Sequence, residues 1–336
     1  MRVAIVHDDL VQWGGAERVL LGLTEIFPDA PIFTSVYDPD NLVLKRHFVN
    51  KKIVTSFLQK IPGWGSLYKI LLPFYPLAFE QFDFSEFDLV ISHTTRFAKS
   101  IITKPATIHI CYCHTPPRFL WHLSGKGSYG LGEILMTKLR LYDQVSSKRV
   151  DHFLAGSINA QKRIKKIYRR DAQVVYPFVD LDRFKSVESF DGEYFVALGR
   201  PNNYKRFDLA IEACNRLGLE LKVISGGLND QMVVEVLAGA KALIIPGIED
   251  FGLVSLEAQA LGKGVIAYKS GGSLETTVEG ETGLYFSSQS VGSLVEAIEK
   301  FLRIKIDPKK CIENAKKFSK ENFIRNFKQA IANLGY

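Results

Sequence analysis

The chain has 336 residues, of which 46% are hydrophobic and 24% charged, with a formal net charge of +7. This composition excludes a disordered or fibrous protein, the length points to two domains, and no window of about twenty apolar residues predicts a spanning helix. The excess of positive charge suits an anionic partner (nucleotide phosphate, nucleic acid or an acidic membrane face) without choosing among them.

The N-terminal MRVAIVHDDLVQW turns acidic after a short apolar run, so it reads as a buried first strand and not as a secretory signal. Short β-branched runs then alternate with helical stretches. RVAIVHD, PIFTSVYD, FDLVISHT, ATIHICYC, DHFLAGS and AQVVYPF predict strands, with GGAERVLLGLTEIF and SINAQKRIKKIYRR as helices between them. Farther along, EYFVALG, LELKVIS, KALIIPG and GVIAYKS predict strands, and FDLAIEACNRLG, QMVVEVLAGA, LVSLEAQALG and SVGSLVEAIEKFLRI predict helices. The pattern is that of α/β domains with parallel sheets covered by helices. Loss of periodicity over residues 174–193 places a boundary there, giving domains at 1–178 and 179–319. A last helix within 320–336 packs either on the second domain or back on the first. Four scattered cysteines (Cys111, Cys113, Cys214 and Cys311) fit a reducing, cytoplasmic setting.

The densest chemistry lies in PGIEDFGLVSLEAQALGKGVIAYKSGG, residues 246–272. On one helix Glu249 and Glu257 would stand about 80° apart. They converge better with Glu249 on the loop before the helix and Glu257 inside it. The first-turn N–H groups around Gly252, Leu253 and Val254 then form an anion site between two carboxylates suited to hydroxyls. That combination describes a sugar nucleotide. Arg200 and Lys205, after the predicted EYFVALG strand, suit a diphosphate whose charge grows during bond cleavage. Gly14 and Gly15 follow the first strand and let the backbone approach phosphates, but they do not form a G-x-G-x-x-G fingerprint.

Together these segments resemble the family-four retaining glycosyltransferases of the GT-B fold. The similarity rests on Glu249-x7-Glu257, Gly271-Gly272 with Glu275, Gly280 with Gly283, Gly199-Arg200 with Lys205, and the WGGAERV loop, in that family's order over essentially the whole chain. The resemblance implies two Rossmann-like domains facing each other across a deep cleft, the first binding acceptor and the second the nucleotide-sugar donor. It assigns donor-sugar hydroxyls to Glu249, the ribose to Glu257 and the diphosphate to Arg200 and Lys205. It implies a metal-independent reaction without a cofactor, in which the leaving phosphate takes the acceptor's proton. The stretches CHTPPRFLW and YKRFDLAIEA are most similar to mannosyltransferases that use GDP-mannose in surface polysaccharide assembly. A saccharide or lipid-linked saccharide is the acceptor implied. The rival readings are a UDP-sugar-dependent transferase, a nucleotide-sugar 2-epimerase of the same architecture, and an inactive sugar-nucleotide-binding assembly partner.

In IHICYCHTPPRFLWH, residues 108–122, His109, Cys111 and Cys113 alternate onto one strand face. Cys-x-Cys on one strand is too cramped for zinc, so these three are expected in the core. His114 falls at the strand's carboxyl end, and the resemblance gives it a contact with the donor sugar near the developing positive charge. Arg118 is a phosphate or acceptor candidate. The triplets Asp38-Pro39-Asp40 and Asp180-Leu181-Asp182 follow predicted strands and are expected as ordinary loops, with no metal. Residues 51–79 read either as an interfacial element meeting a lipid-linked acceptor at the inner membrane face or as a helical cap on the first core. KRIKKIYRR reads as a solvated helix face or as a basic phosphate- or membrane-facing strip. Basic residues interleaved with acidic ones speak against nucleic acid.

Overall fold

A computed structural model describes residues 1–67, 70–123, 132–190 and 192–335. Parts of three sequence segments, residues 68–69 of the 51–79 stretch, 191 of the boundary region and 336 of the last helix region, lie outside the described residues. Two compact units result: Met1–Val175 with Asn326–Tyr336, and Tyr176–Arg325.

The first unit opens with β1 (Val3–His7), α1 (Gly15–Ile26), β2 (Ile32–Thr34), α2 (Leu42–His47) and β3 (Ile53–Thr55). It continues through α3 (Trp64–Leu67), α4 (Tyr75–Glu80), β4 (Leu89–Thr94) and β5 (Ile108–Cys113). It then runs through α5 (Gly132–Ser146), β6 (His152–Ala155), α6 (Ile158–Tyr168) and β7 (Ala172–Val174). Among the described residues the strands form one parallel sheet in the order β3-β2-β1-β4-β5-β6-β7. The order in which strands are added reverses between β1 and β4, and ligands of such sheets bind outside the carboxyl ends at that point.

One face of this sheet packs Val6, Phe33 and Val90 against Leu58, Tyr75, Phe79 and Phe97. The 51–79 stretch therefore caps the core, while its Ile70, Phe74 and Leu77 remain exposed. It also contains β3, which pattern reading missed because Ile53–Thr55 is a three-residue edge strand. Farther along the same face Cys111, Cys113 and Phe153 meet Ala160, Ile164 and Tyr168 of α6. The core placement expected for His109, Cys111 and Cys113 is what the fold has, with His109 Nε2 2.7 Å from Ser92 Oγ.

The second unit contains β8 (Phe195–Leu198), α7 (Phe207–Leu217), β9 (Leu221–Ile224), α8 (Asp230–Ala238), β10 (Ala242–Ile245) and α9 (Leu253–Ala260). β11 (Gly264–Tyr268), α10 (Ser273–Thr276), β12 (Gly283–Phe286), α11 (Val291–Arg303) and α12 (Pro308–Lys316) complete it. Its sheet is parallel, ordered β12-β11-β10-β8-β9, with the reversal between β8 and β10. Helix α13 (Lys320–Asn333) gives its residues up to Arg325 to this unit and those from Asn326 to the first. In the first unit Phe327 is fully buried, with its ring 5.9 Å from that of Tyr112.

Candidate functional site

In the second unit, the loops leaving β8 and β10 at the reversal point supply the predicted donor residues. Lys205 stands in the 3-10 turn Asn203–Lys205, and its Nζ donates to Glu249 Oε1 at 2.6 Å. Both side chains are almost closed off from solvent, at 8% and 9% residue exposure. Two glycines permit this approach. A Cβ on Gly247 would stand 2.2 Å from the Tyr204 carbonyl oxygen, and one on Gly272 would stand 2.2 Å from Phe251 Cα. Gly272 N donates to Glu249 O at 2.9 Å, so the Gly271-Gly272 loop lies directly against the carboxylate-bearing one.

Gly252, at φ +99°, is the N-cap of α9, with Leu253 and Val254 in the first turn. Helix N-termini of this kind offer unsatisfied N–H groups and the positive end of the dipole. Behind them α9 is locked by a buried polar network. Ser255 Oγ lies 3.1 Å from Thr277 Oγ1, Gln259 Nε2 donates to Thr276 O at 2.7 Å, and Asn314 Nδ2 of α12 donates to Gln259 Oε1 at 2.7 Å.

Arg200 is exposed on the turn after Gly199. Glu257 lies within α9, and Arg183 Nη1 donates to its Oε1 at 2.8 Å. Sequence reading did not single out Arg183, because an arginine in LDRF carries no local sign of a partner 74 residues away.

In the first unit, Gly14 is the N-cap of α1 and Gly15 its first residue. The motif's Glu17, two positions on, is buried with Oε1 3.8 Å from His7 Nε2. His7 Nδ1 lies 2.9 Å from His93 Nδ1, and His93 Nε2 lies 2.6 Å from His114 Nε2. Burial opposes a charge on His7, but Glu17, then Asp8 and Asp9, outweigh it and hold its pKa above the ordinary histidine value. Burial, with His114 and His7 as like charges, pushes His93 well below it.

Asp8 caps the loop after β4, accepting from Thr95 N (2.6 Å), Phe97 N (2.9 Å) and Ala98 N (2.8 Å), while Asp9 pairs with Arg96. Burial pulls Asp8 upward, but Arg96, His7 and these N–H donors leave it below the usual carboxylate range. Burial raises Asp9.

Of this cluster only His114 was predicted. A usable signal existed, since VHD, SHT and CHT each put a histidine at the end of a predicted strand. His7 and His93 are register partners, and His114 is two residues beyond Tyr112, the partner of His93. Arg118 is partly buried on the loop after Pro116-Pro117.

The Asp38 triplet is a turn, with Asp38 Oδ1 accepting from Asp40 N at 3.0 Å, and Asp182 is an exposed partner of Lys185 at 2.6 Å. Among the described residues no group of three or more His, Cys, Asp or Glu is placed to hold a metal ion. No helix among them is long and apolar enough to cross a membrane.

With these sites in place, comparison with known proteins identifies the class. The family model described as Glycosyltransferase Family 4 matches residues 13–183, and that described as Glycosyl transferases group 1 matches residues 218–318. The chain belongs to glycosyltransferase family 4 and is an enzyme of the GT-B fold. The sucrose-phosphate synthase of Thermosynechococcus elongatus superposes with a TM-score of 0.75 at 15% identity, covering 99% of both chains. Anabaena HepE in complex with UDP superposes with a TM-score of 0.71 at 16% identity, covering 99% of this chain and all of that one. By sequence, the chain is 22% identical to the alpha-1,3/1,6-mannosyltransferase ALG2 of Dictyostelium discoideum, covering 99% of this chain and 98% of that protein. Human ALG2 is 25% identical, over 90% of this chain and 87% of its own length.

Proposed function

We propose that this enzyme transfers mannose from GDP-mannose to a saccharide or lipid-linked saccharide, with retention at the anomeric carbon. The observation that carries this reading is the buried Lys205–Glu249 pair, set beside the N-terminus of α9 at the reversal point of the second sheet. A carboxylate held at 2.6 Å by a lysine is pre-oriented to accept from sugar hydroxyls. Arg200, Lys205 and the first-turn N–H groups of Gly252, Leu253 and Val254 meet the diphosphate as its charge grows. Glu257, steadied by Arg183, takes the ribose. Gly14 and Gly15 admit the phosphates, His114 contacts the donor sugar, and Arg118 serves acceptor or phosphate. The leaving phosphate receives the acceptor's proton, and no metal takes part.

Mannose as the transferred sugar is supported by the alpha-1,3/1,6-mannosyltransferase relatives. Guanine as the base follows from similarity to GDP-mannose users. The first unit holds the acceptor. Exposed Ile70, Phe74 and Leu77 give it apolar contact with a lipid-linked acceptor at the cytoplasmic membrane face, in a pathway building surface polysaccharide.

Nucleotide release measured separately with GDP-mannose and UDP-glucose, followed by product analysis with mannosylated lipid-linked acceptors, tests this directly. Turnover with GDP-mannose and a glycosylated product is expected. Turnover with UDP-glucose alone would sink the donor, and a free epimerised sugar would sink the transfer. Glu249→Ala and Lys205→Ala are each expected to lower kcat about 10²- to 10³-fold.

A further inference from the structure

Three parallel neighbours, β1, β4 and β5, bring histidines together at their carboxyl ends in a single file. From Glu17 the file runs through His7 and His93 to His114, with contacts of 3.8, 2.9 and 2.6 Å. The His7 and His93 rings lie 24° apart in plane with centroids 5.0 Å apart, as expected of rings joined edge to edge by a hydrogen bond. The second nitrogen of His114, Nδ1, stands over Gly156 after β6, 3.4 Å from where a Cβ would be.

A neutral imidazole has one N–H and one lone pair. Each nitrogen–nitrogen contact needs one of each, so the three rings cannot choose tautomers independently. We infer that Glu17, His7 and His93 form a proton wire that decides whether His114 Nδ1 is a hydrogen-bond acceptor or a donor.

Two arrangements satisfy these three contacts. With His7 neutral, its Nε2–H points to Glu17 and its Nδ1 accepts from His93 Nδ1–H. His93 Nε2 then accepts from His114 Nε2–H, and His114 Nδ1 keeps a lone pair. With His7 charged, its Nδ1–H donates to His93 Nδ1. The His93 proton is then on Nε2 and donates to His114 Nε2, so His114 carries its proton on Nδ1. The states differ by one proton. It enters at His114 Nδ1 as His114 Nε2–H passes its proton to His93 Nε2 and His93 Nδ1–H passes its own to His7 Nδ1. Both rings beyond His7 end neutral.

The surroundings favour His7 as the resting place of that charge. His7 faces Glu17 from α1, Asp8 and Asp9 from its own strand end, and His93 from β4, with Arg96 paired to Asp9. Among the described residues His93 faces His7, His114 and the stacked ring of Tyr112, 5.7 Å away. His114 faces His93 and the edge of Tyr112, and its neighbour Thr115 accepts from Arg163 of α6 at 2.9 Å.

The catalytic use of the wire rests on the assignment of His114 to the donor sugar. It lets His114 Nδ1 take up a solvent proton beside a developing positive charge while the charge of that proton comes to rest two rings away on His7, the acceptor's proton still going to the leaving phosphate. Glu17, His7 and His93 are positioning residues in this arrangement.

Long-range ¹H–¹⁵N imidazole spectra of the ¹⁵N-labelled full chain between pH 5 and 8 test the wire without any activity. His114 is expected as the Nδ1–H tautomer at low pH and as the Nε2–H tautomer above the His7 midpoint, with all three rings changing together. Glu17→Gln should lower that common midpoint by about one to three pH units, and His93→Ala should uncouple His114 from it. Should His93→Ala not fold, His7→Gln must instead lock His114 in one tautomer. A His114 tautomer constant across the range, or unmoved by these substitutions, overturns the wire.

The pH profile of nucleotide release should follow the Glu17→Gln shift, and His93→Ala should lower kcat about 10- to 100-fold. Coupled titration with an unchanged profile would uphold the wire and remove His114 from the donor site.

Discussion

Lys99 and Asp143 form an ion pair with no solvent exposure on either side chain. Trp121 Nε1 at 2.7 Å and Tyr168 OH at 2.9 Å also donate to Asp143 Oδ2, so one carboxylate ties the loop after His114 to α5 and α6. Removing one member of a buried pair leaves an uncompensated charge. Asp143→Ala is expected to cost about 3–5 kcal/mol in urea unfolding, and Lys99→Met in the same chain should restore much of it. His109 makes a second prediction. Burial lowers its pKa to about 4, so the native state refuses a proton that the unfolded chain takes near the ordinary value. Its contribution is therefore complete above about pH 6.5 and is lost as pH falls toward 4, on the order of 3 kcal/mol. Melting temperature against pH for wild type and His109→Gln should diverge over that window, with the wild type showing the steeper acid loss.

Helix α9 shows how far short elements were legible. Its start at Gly252 and the loop-then-helix placement of Glu249 and Glu257 follow from a Gly break before an apolar period. The steric demand on Gly272 does not, because Phe251 is brought against it only by the parallel bridge Glu249↔Gly271. Gly272→Ala forces backbone apart from backbone. It should destabilise by about 1–3 kcal/mol and weaken donor binding, measured by thermal shift and nucleotide titration. Strands buried on both faces were readable as continuous apolar runs. The edge strands β3 and β12, three and four residues long, were not. Helix α12 is short and polar, yet Asp307 as N-cap and Pro308 at its first position carried a usable start signal. Helix α5 exposes Ile134, Leu135, Leu141 and Val145, which blurs the apolar face that would have marked it.

Across the whole molecule, the C-terminal residues from Asn326 are part of the first unit's packing. Phe327 and Ala330 are fully buried and Ile331 nearly so. Phe327→Ala should cost about 3–5 kcal/mol in a thermal or denaturant melt, with the β5 surroundings of Tyr112 losing protection from amide exchange first. The amino-acid order was enough for the α/β class, for Glu249 on the loop before α9 with Glu257 inside it, and for His114 at the end of β5, because each rests on local periodicity or on spacing within one loop and helix. It could not reach the Glu17–His7–His93 file or the Arg183–Glu257 pair, whose members are separated by 74 to 86 residues apart from the local Glu17–His7 step. The histidine contacts exist only once the strand order β1-β4-β5 brings the carboxyl ends side by side, and Arg183 reaches Glu257 only once α9 is folded into the second unit. A histidine looks alike in a chain whether it ends a strand alone or beside two others, and tertiary pairing settles which it is.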